Sequence, residues 1–122
     1  MLNIQKYYHN EYIVYEFIGS ISNEADISNV KNMLNEDISK TYAFIFNFRS
    51  LTYLNNNAIK MLQDLYVTGV NNACEMLISN AHTQAAMMLE ISQVDTLYTM
   101  KTTLKEATDL YYGDDYDLAY SS

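Results

Sequence analysis

The sequence predicts an α/β protein, a mixed sheet of four to five strands with four helices packed on it, in the order β-β-α-β-α-β-α-β-α. Two observations carry that prediction. Short runs rich in β-branched and aromatic residues alternate with longer segments whose apolar positions recur at three- and four-residue spacing, and one run, residues 42–48, is almost continuously apolar. The length of 122 residues fits one domain, placed here at residues 1–112 with a separate tail at 113–122.

Val14 to Ile18, preceded by Tyr12-Ile13 and closed by Gly19, reads as a strand, and Ile4 to Tyr8 as its hairpin partner across His9-Asn10. From Glu24 to about Asp37, Ile27, Val30 and Met33 or Leu34 recur at helical spacing, with Ser22 or Asn23 available to cap the first turn. Tyr42 to Phe48 is too short for a typical helix and too apolar for a half-exposed strand, so it is expected in the middle of the sheet. Arg49 to Leu54 reads as a connection. A second helix should begin in the triplet Asn55-Asn56-Asn57, because asparagine caps well, and Ala58, Ile59, Met61, Leu62, Leu65 and Tyr66 form its apolar stripe. Gly69 is expected to supply the left-handed stop. Ala73 to Ser79 reads as a strand and His82 to Ile91 as a short helix with Ala85, Met88 and Leu89 inward. Thr96 to Met100 is a brief strand, and Thr103-Leu104-Lys105-Glu106 is a capping box opening a last helix with Leu104, Ala107 and Leu110 or Tyr111 inside.

Composition removes several function classes. Seven Lys and Arg stand against 15 Asp and Glu, a formal charge of -8. Such a balance disfavours nucleic acid, whose binding is driven by cations displacing counterions, and anionic membrane surfaces, which call for a polybasic segment. The N-terminus lacks the apolar run of a secretory signal, and the long uncharged stretch Leu77 to Leu89 is broken by polar residues. A cytoplasmic chain is the expectation. Cys74 is single, and His9 and His82 lie far apart without ligand spacing, so neither a disulfide nor a metal site is expected. The acidic pairs Glu36-Asp37 and Asp114-Asp115 are poor general acid–base pairs, and three glycines make no phosphate loop. The chain is therefore expected not to be an enzyme and to need no cofactor. The chain end interleaves Tyr111, Tyr112, Tyr116 and Tyr120 with Asp109, Asp114, Asp115 and Asp117, which either adds solubility or docks on a partner or a second copy in a homodimer.

The stretch Phe46-Asn47-Phe48-Arg49-Ser50-Leu51-Thr52-Tyr53-Leu54-Asn55-Asn56-Asn57-Ala58-Ile59 resembles the signature of the STAS domain, the anti-sigma factor antagonist family. That signature runs from a buried strand through an apolar-aromatic-apolar step to Asp-Ser-Ser/Thr-Gly-Leu opening a helix. Gly19 matches the glycine closing the family's early strand, and Glu75-Met76-Leu77-Ile78 and His82 to Leu97 resemble its later elements. The resemblance implies a STAS-like fold and a binding partner that is both a serine kinase and an anti-sigma factor. It also implies that the first Ser after the Asp is the phosphorylated residue. Here the four motif positions are Asn55, Asn56, Asn57 and Ala58, and the phospho-acceptor position is Asn56, which has no hydroxyl. Partner contact is expected from Leu54, Asn55, Asn56, Asn57, Ala58, Ile59 and Leu62, with Leu54 and Ile59 as apolar anchors. Ser50 and a half-buried Thr52 are the nearby hydroxyls. STAS domains also serve as accessory modules of transporters and as nucleotide- or ligand-binding modules, the alternative reading.

Overall fold

A computed structural model describes residues 1–111; the tail predicted at 113–122 lies outside the described residues. In chain order the elements are β1 (Leu2–Tyr8), β2 (Ile13–Ile21), α1 (Glu24–Asp37), β3 (Ala43–Asn47), β4 (Leu51–Leu54), α2 (Asn56–Asn71), β5 (Glu75–Ser79), α3 (Thr83–Ile91), a 3-10 turn (Val94–Thr96) and β6 (Thr99–Lys101). A fourth helix, α4, covers residues 104–111 of the described part. The predicted mixed α/β class and four helices hold, but the sheet has six strands where four to five were expected. The additional strand is β4, inside the segment read as a connection. At four residues with only Leu51 and Leu54 buried, it is too short to show a period.

The sheet order is β1-β2-β3-β5-β6, with β4 also paired to β2. β1 and β2 form the antiparallel hairpin; the other pairings are parallel. β2 is long enough to serve two partners in succession: Ile13 to Glu16 pair with β3, and Gly19 to Ile21 pair with β4. The register slips between Gly19 and Ser20. Gly19 makes this handover possible, with φ +104 and a position where any Cβ would collide with the Met1 carbonyl.

Alternation along the strands sorts side chains onto two faces. One face carries Ile13, Tyr15, Phe17, Phe44, Phe46, Met76 and Ile78, packed beneath α1, α2 and α3 in the main core. The other carries Tyr12, Val14, Ala43, Ile45 and Leu77, packed under α4 through Ala107, Leu104 and Tyr111. Tyr111, not Leu110, is the inner residue of the last turn, since Leu110 is half exposed.

Helix ends follow the sequence at their starts and depart from it at one stop. Asn23 accepts from the Asp26 amide at 2.8 Å, and Thr103 accepts from the Glu106 amide at 3.1 Å. Gly69, by contrast, lies within α2 and does not take a left-handed conformation. It is buried because the helix passes so close to β5 that a Cβ would run into the Met76 side chain. The left-handed residue is Ala73 at φ 58, and the Gly69 carbonyl receives the Asn72 and Cys74 amides that close the helix. The last strand starts at Thr99, later than Thr96, because Val94–Thr96 forms the 3-10 turn.

Candidate functional site

β4 delivers the chain to Asn55, whose extended backbone (φ -101, ψ -175) stands just outside α2. Every polar group of Asn55 has a partner within the fold. Its Oδ1 accepts from the Ala58 amide at 2.9 Å, its Nδ2 donates to the Ser22 carbonyl at 2.8 Å, and its backbone N–H donates to the Ile21 carbonyl at 3.3 Å. The predicted cap is thus present, and the same side chain ties the end of β2 to the start of α2.

Asn56 and Asn57, the first two helical residues, are exposed, and their carboxamides make no hydrogen bond among the described residues. No charged residue lies between Ser50 and Ile59. The helix start therefore presents neutral donors and acceptors where the helix dipole is positive.

The apolar residues expected to contact a partner, Leu54 and Ile59 as anchors with Ala58 and Leu62, lie inside the fold. Leu54, Ala58 and Leu62 are fully buried and Ile59 is 6% exposed, so they lie in the main core and hold the helix start from beneath. Leu62 is also fixed through its carbonyl, which accepts the buried Tyr98 hydroxyl at 2.6 Å; burial pushes that phenol's pKa well up. Thr52, expected half-buried, is exposed on β4 with its hydroxyl donating to the Gly19 carbonyl at 3.0 Å. The exposed apolar surface next to the cap is Tyr53 on β4.

Sequence reasoning missed Gln84. From α3 its carboxamide accepts from the Leu54 amide at 3.0 Å and donates to the Leu54 carbonyl at 2.8 Å. One side chain thereby imitates a neighbouring strand along the free edge of β4, at the residue before the cap. No local signal could have revealed it, because the partners are 30 residues apart. His82 adds a second tie, its Nε2 lying 2.8 Å from the Arg49 carbonyl. Cys74 is buried just before β5, and burial raises its thiol pKa. Among the described residues no group of three His, Cys, Asp or Glu could hold a metal ion, and no helix is long and apolar enough to cross a membrane.

Comparison with known proteins adds the family. The unphosphorylated anti-sigma factor antagonist SpoIIAA is similar in fold at a TM-score of 0.79, with 16% identity over 91% of this chain and 97% of that one. An anti-sigma factor antagonist from Mycobacterium paratuberculosis gives 0.77, 12% identity, and coverage of 88% and 91%. A sulfate transporter family protein from Wolinella succinogenes gives 0.67, 14% identity, and coverage of 77% and 79%. A search of curated protein sequences found no match. At these identities the structures establish the fold alone. The STAS domain model, however, matches residues 3–107, nearly the whole described chain, and with the β4–cap–α2 arrangement in place this protein belongs to the STAS domain family.

Proposed function

We propose that the protein is a non-catalytic regulatory module of the anti-sigma factor antagonist type, acting in the cytoplasm of a bacterium. Its partner is a serine kinase that doubles as an anti-sigma factor, bound through the start of α2. The observation that carries this reading is the pair Asn56 and Asn57, exposed and unengaged on a capped first turn whose apolar underside is locked into the core. Similarity in fold to antagonists supports the partner class. Asn56 has no hydroxyl, so the surface keeps the charge of an unphosphorylated site, whereas a phosphate would add about -1.5 to -2.

Incubation with a serine kinase of this class and ATP, followed by intact-mass and peptide mapping, should find no phosphate between residues 50 and 60. Asn56→Glu should weaken the complex at least about tenfold, while favourable interaction of the new anion with the helix dipole raises stability by about 0.3–1 kcal/mol. A phosphate in that segment, or undiminished binding by Asn56→Glu, overturns the reading. Likeness to a sulfate transporter family protein favours a second one, an accessory module of a transporter. Capture of a permease rather than a kinase would select it.

A further inference from the structure

The face of the sheet under α4 changes character at one rung. Gln5, Glu16, Asn47, Ser79 and Lys101 are register partners across β1, β2, β3, β5 and β6, and they follow Val14, Ile45 and Leu77 on the same face. This rung stands at the carboxyl ends of the parallel strands, where open α/β sheets bind ligands. Between the β1–β2 hairpin and α4 it borders a groove of about 370 Å³, lined by Tyr7, Tyr12, Glu16, Asn47, Arg49 and Leu104 among others. That volume lies at the lower end of the small-molecule range.

The polar groups of the groove are incompletely used. Asn47 is 6% exposed; its Oδ1 accepts from the Arg49 amide at 3.0 Å, which fixes the carboxamide and leaves Nδ2 as a donor with no partner among the described residues. Arg49 and Glu16 line the same groove, yet among the described residues neither side chain has an ion-pair partner. Among the described residues the Glu16 carboxylate accepts only from the Tyr7 hydroxyl, at 3.5 Å, and that hydroxyl donates chiefly to Gln5 Oε1 at 2.7 Å.

A donor open to the groove on a nearly buried residue, in a groove also lined by an unpaired cation, suits an anion, and the unpaired carboxylate lining the same groove suits a cation. We infer that this groove binds a small zwitterion, a free α-amino acid with an apolar side chain. Its carboxylate is held by Asn47 Nδ2 and the Arg49 guanidinium, its ammonium by Glu16 with the Tyr7 oxygen, and its side chain lies against Tyr12, Val14 and Leu104. Arginine suits the carboxylate because its planar fork matches it. A ligand with only one of the two charges leaves the opposite protein charge uncompensated, so both are read. The site is on the opposite face of the sheet from the α2 start and stands independently of the partner assigned there.

Calorimetric titration and thermal shift of the full chain with L-leucine and L-phenylalanine test this. Saturable binding and a concentration-dependent rise in Tm are expected. N-acetyl-L-leucine, which lacks the ammonium, and L-leucinamide, which lacks the carboxylate, should each bind at least about tenfold more weakly. Glu16→Gln should abolish discrimination against the acetylated form, and Arg49→Met discrimination against the amide. No response to either amino acid at about 10 mM overturns the inference, because a site that weak would be almost empty. So does equal binding of the blocked forms by the unaltered protein, a result that needs no variant to fold. Strong coupling between Glu16 and Arg49 in a double-mutant cycle on the unliganded protein would also overturn it, since the two charges would then neutralise each other.

Discussion

Asp37 places a carboxylate at the C-terminal end of α1, where the helix dipole disfavours an anion, and it is 1% exposed. The site is tolerated because four groups converge on it. The Tyr15 hydroxyl donates to Oδ2 at 2.6 Å, Lys6 Nζ lies 3.3 Å from the same oxygen, and Tyr8 and Lys40 approach Oδ1 at 3.3 and 3.5 Å. Burial alone would raise the Asp37 pKa. The Tyr15 bond, the Lys6 bond and charge, and the Lys40 charge outweigh it and hold the carboxyl below the usual carboxylate range, while burial and this carboxylate push the Tyr15 phenol up. A folded-state pKa below the unfolded one stabilises the protein fully above the unfolded value of about 3.9, and that contribution is lost as pH falls through the folded value. Asp37→Asn should therefore cost about 1–3 kcal/mol at neutral pH and flatten the acid limb of a denaturant-midpoint curve between about pH 5 and 2. The sequence offered Glu36-Asp37 only as an adjacent acidic pair; apart from Lys40, the cluster joins Asp37 to Tyr15, Tyr8 and Lys6, 22 to 31 positions away and beyond any local pattern.

At the scale of elements, α2 is fixed at both ends by devices of different legibility. Its start was readable because Asn55 caps through a residue three positions on. The contact that fixes the approach to that start, Gln84 on Leu54, was not. Gln84→Ala leaves two backbone groups of Leu54 without their partner, so a loss of about 1–3 kcal/mol is expected by chemical denaturation. Amide exchange at Leu54 and Ala58 should rise more than exchange in β3. The sequence points to Gly69 as the stop of α2 because a glycine near the end of an apolar stripe looks the same whether it serves backbone conformation or close packing. Tertiary contact with Met76 decides for packing, and Ala73 takes the left-handed position. Ala73→Gly should stabilise the protein by about 0.5–1 kcal/mol, read as an increase in denaturation midpoint, because it relieves a left-handed alanine on an exposed turn.

At the scale of the whole molecule, the sheet separates two surfaces of different chemistry: a neutral amide-rich helix start on the three-helix side and a groove with both charges on the α4 side. Three of the 15 acids fall within residues 112–122, so the surplus of negative charge extends through the domain itself. For a partner with a basic face, the association rate should fall at least about tenfold as ionic strength rises from about 0.05 to 0.5 M, measured by stopped flow, with a much smaller change in dissociation. By itself the sequence determined the α/β class, the position and period of the helices, the antiparallel opening hairpin, the central strand and the capped start of α2, because each is written in contacts within a few residues. It also determined that Asn56, at the start of α2, carries no hydroxyl. The apolar stripe of α2 already set Ala58, Ile59 and Leu62 inward, but only the tertiary structure decided that Leu54 joins them in the core, that β4 is a strand, and that Gln84 guards its edge. It alone set the polar rung Gln5–Glu16–Asn47–Ser79–Lys101 in line. Each of these depends on which distant segment lies alongside, and that is settled by strand order and register rather than by local residue preference.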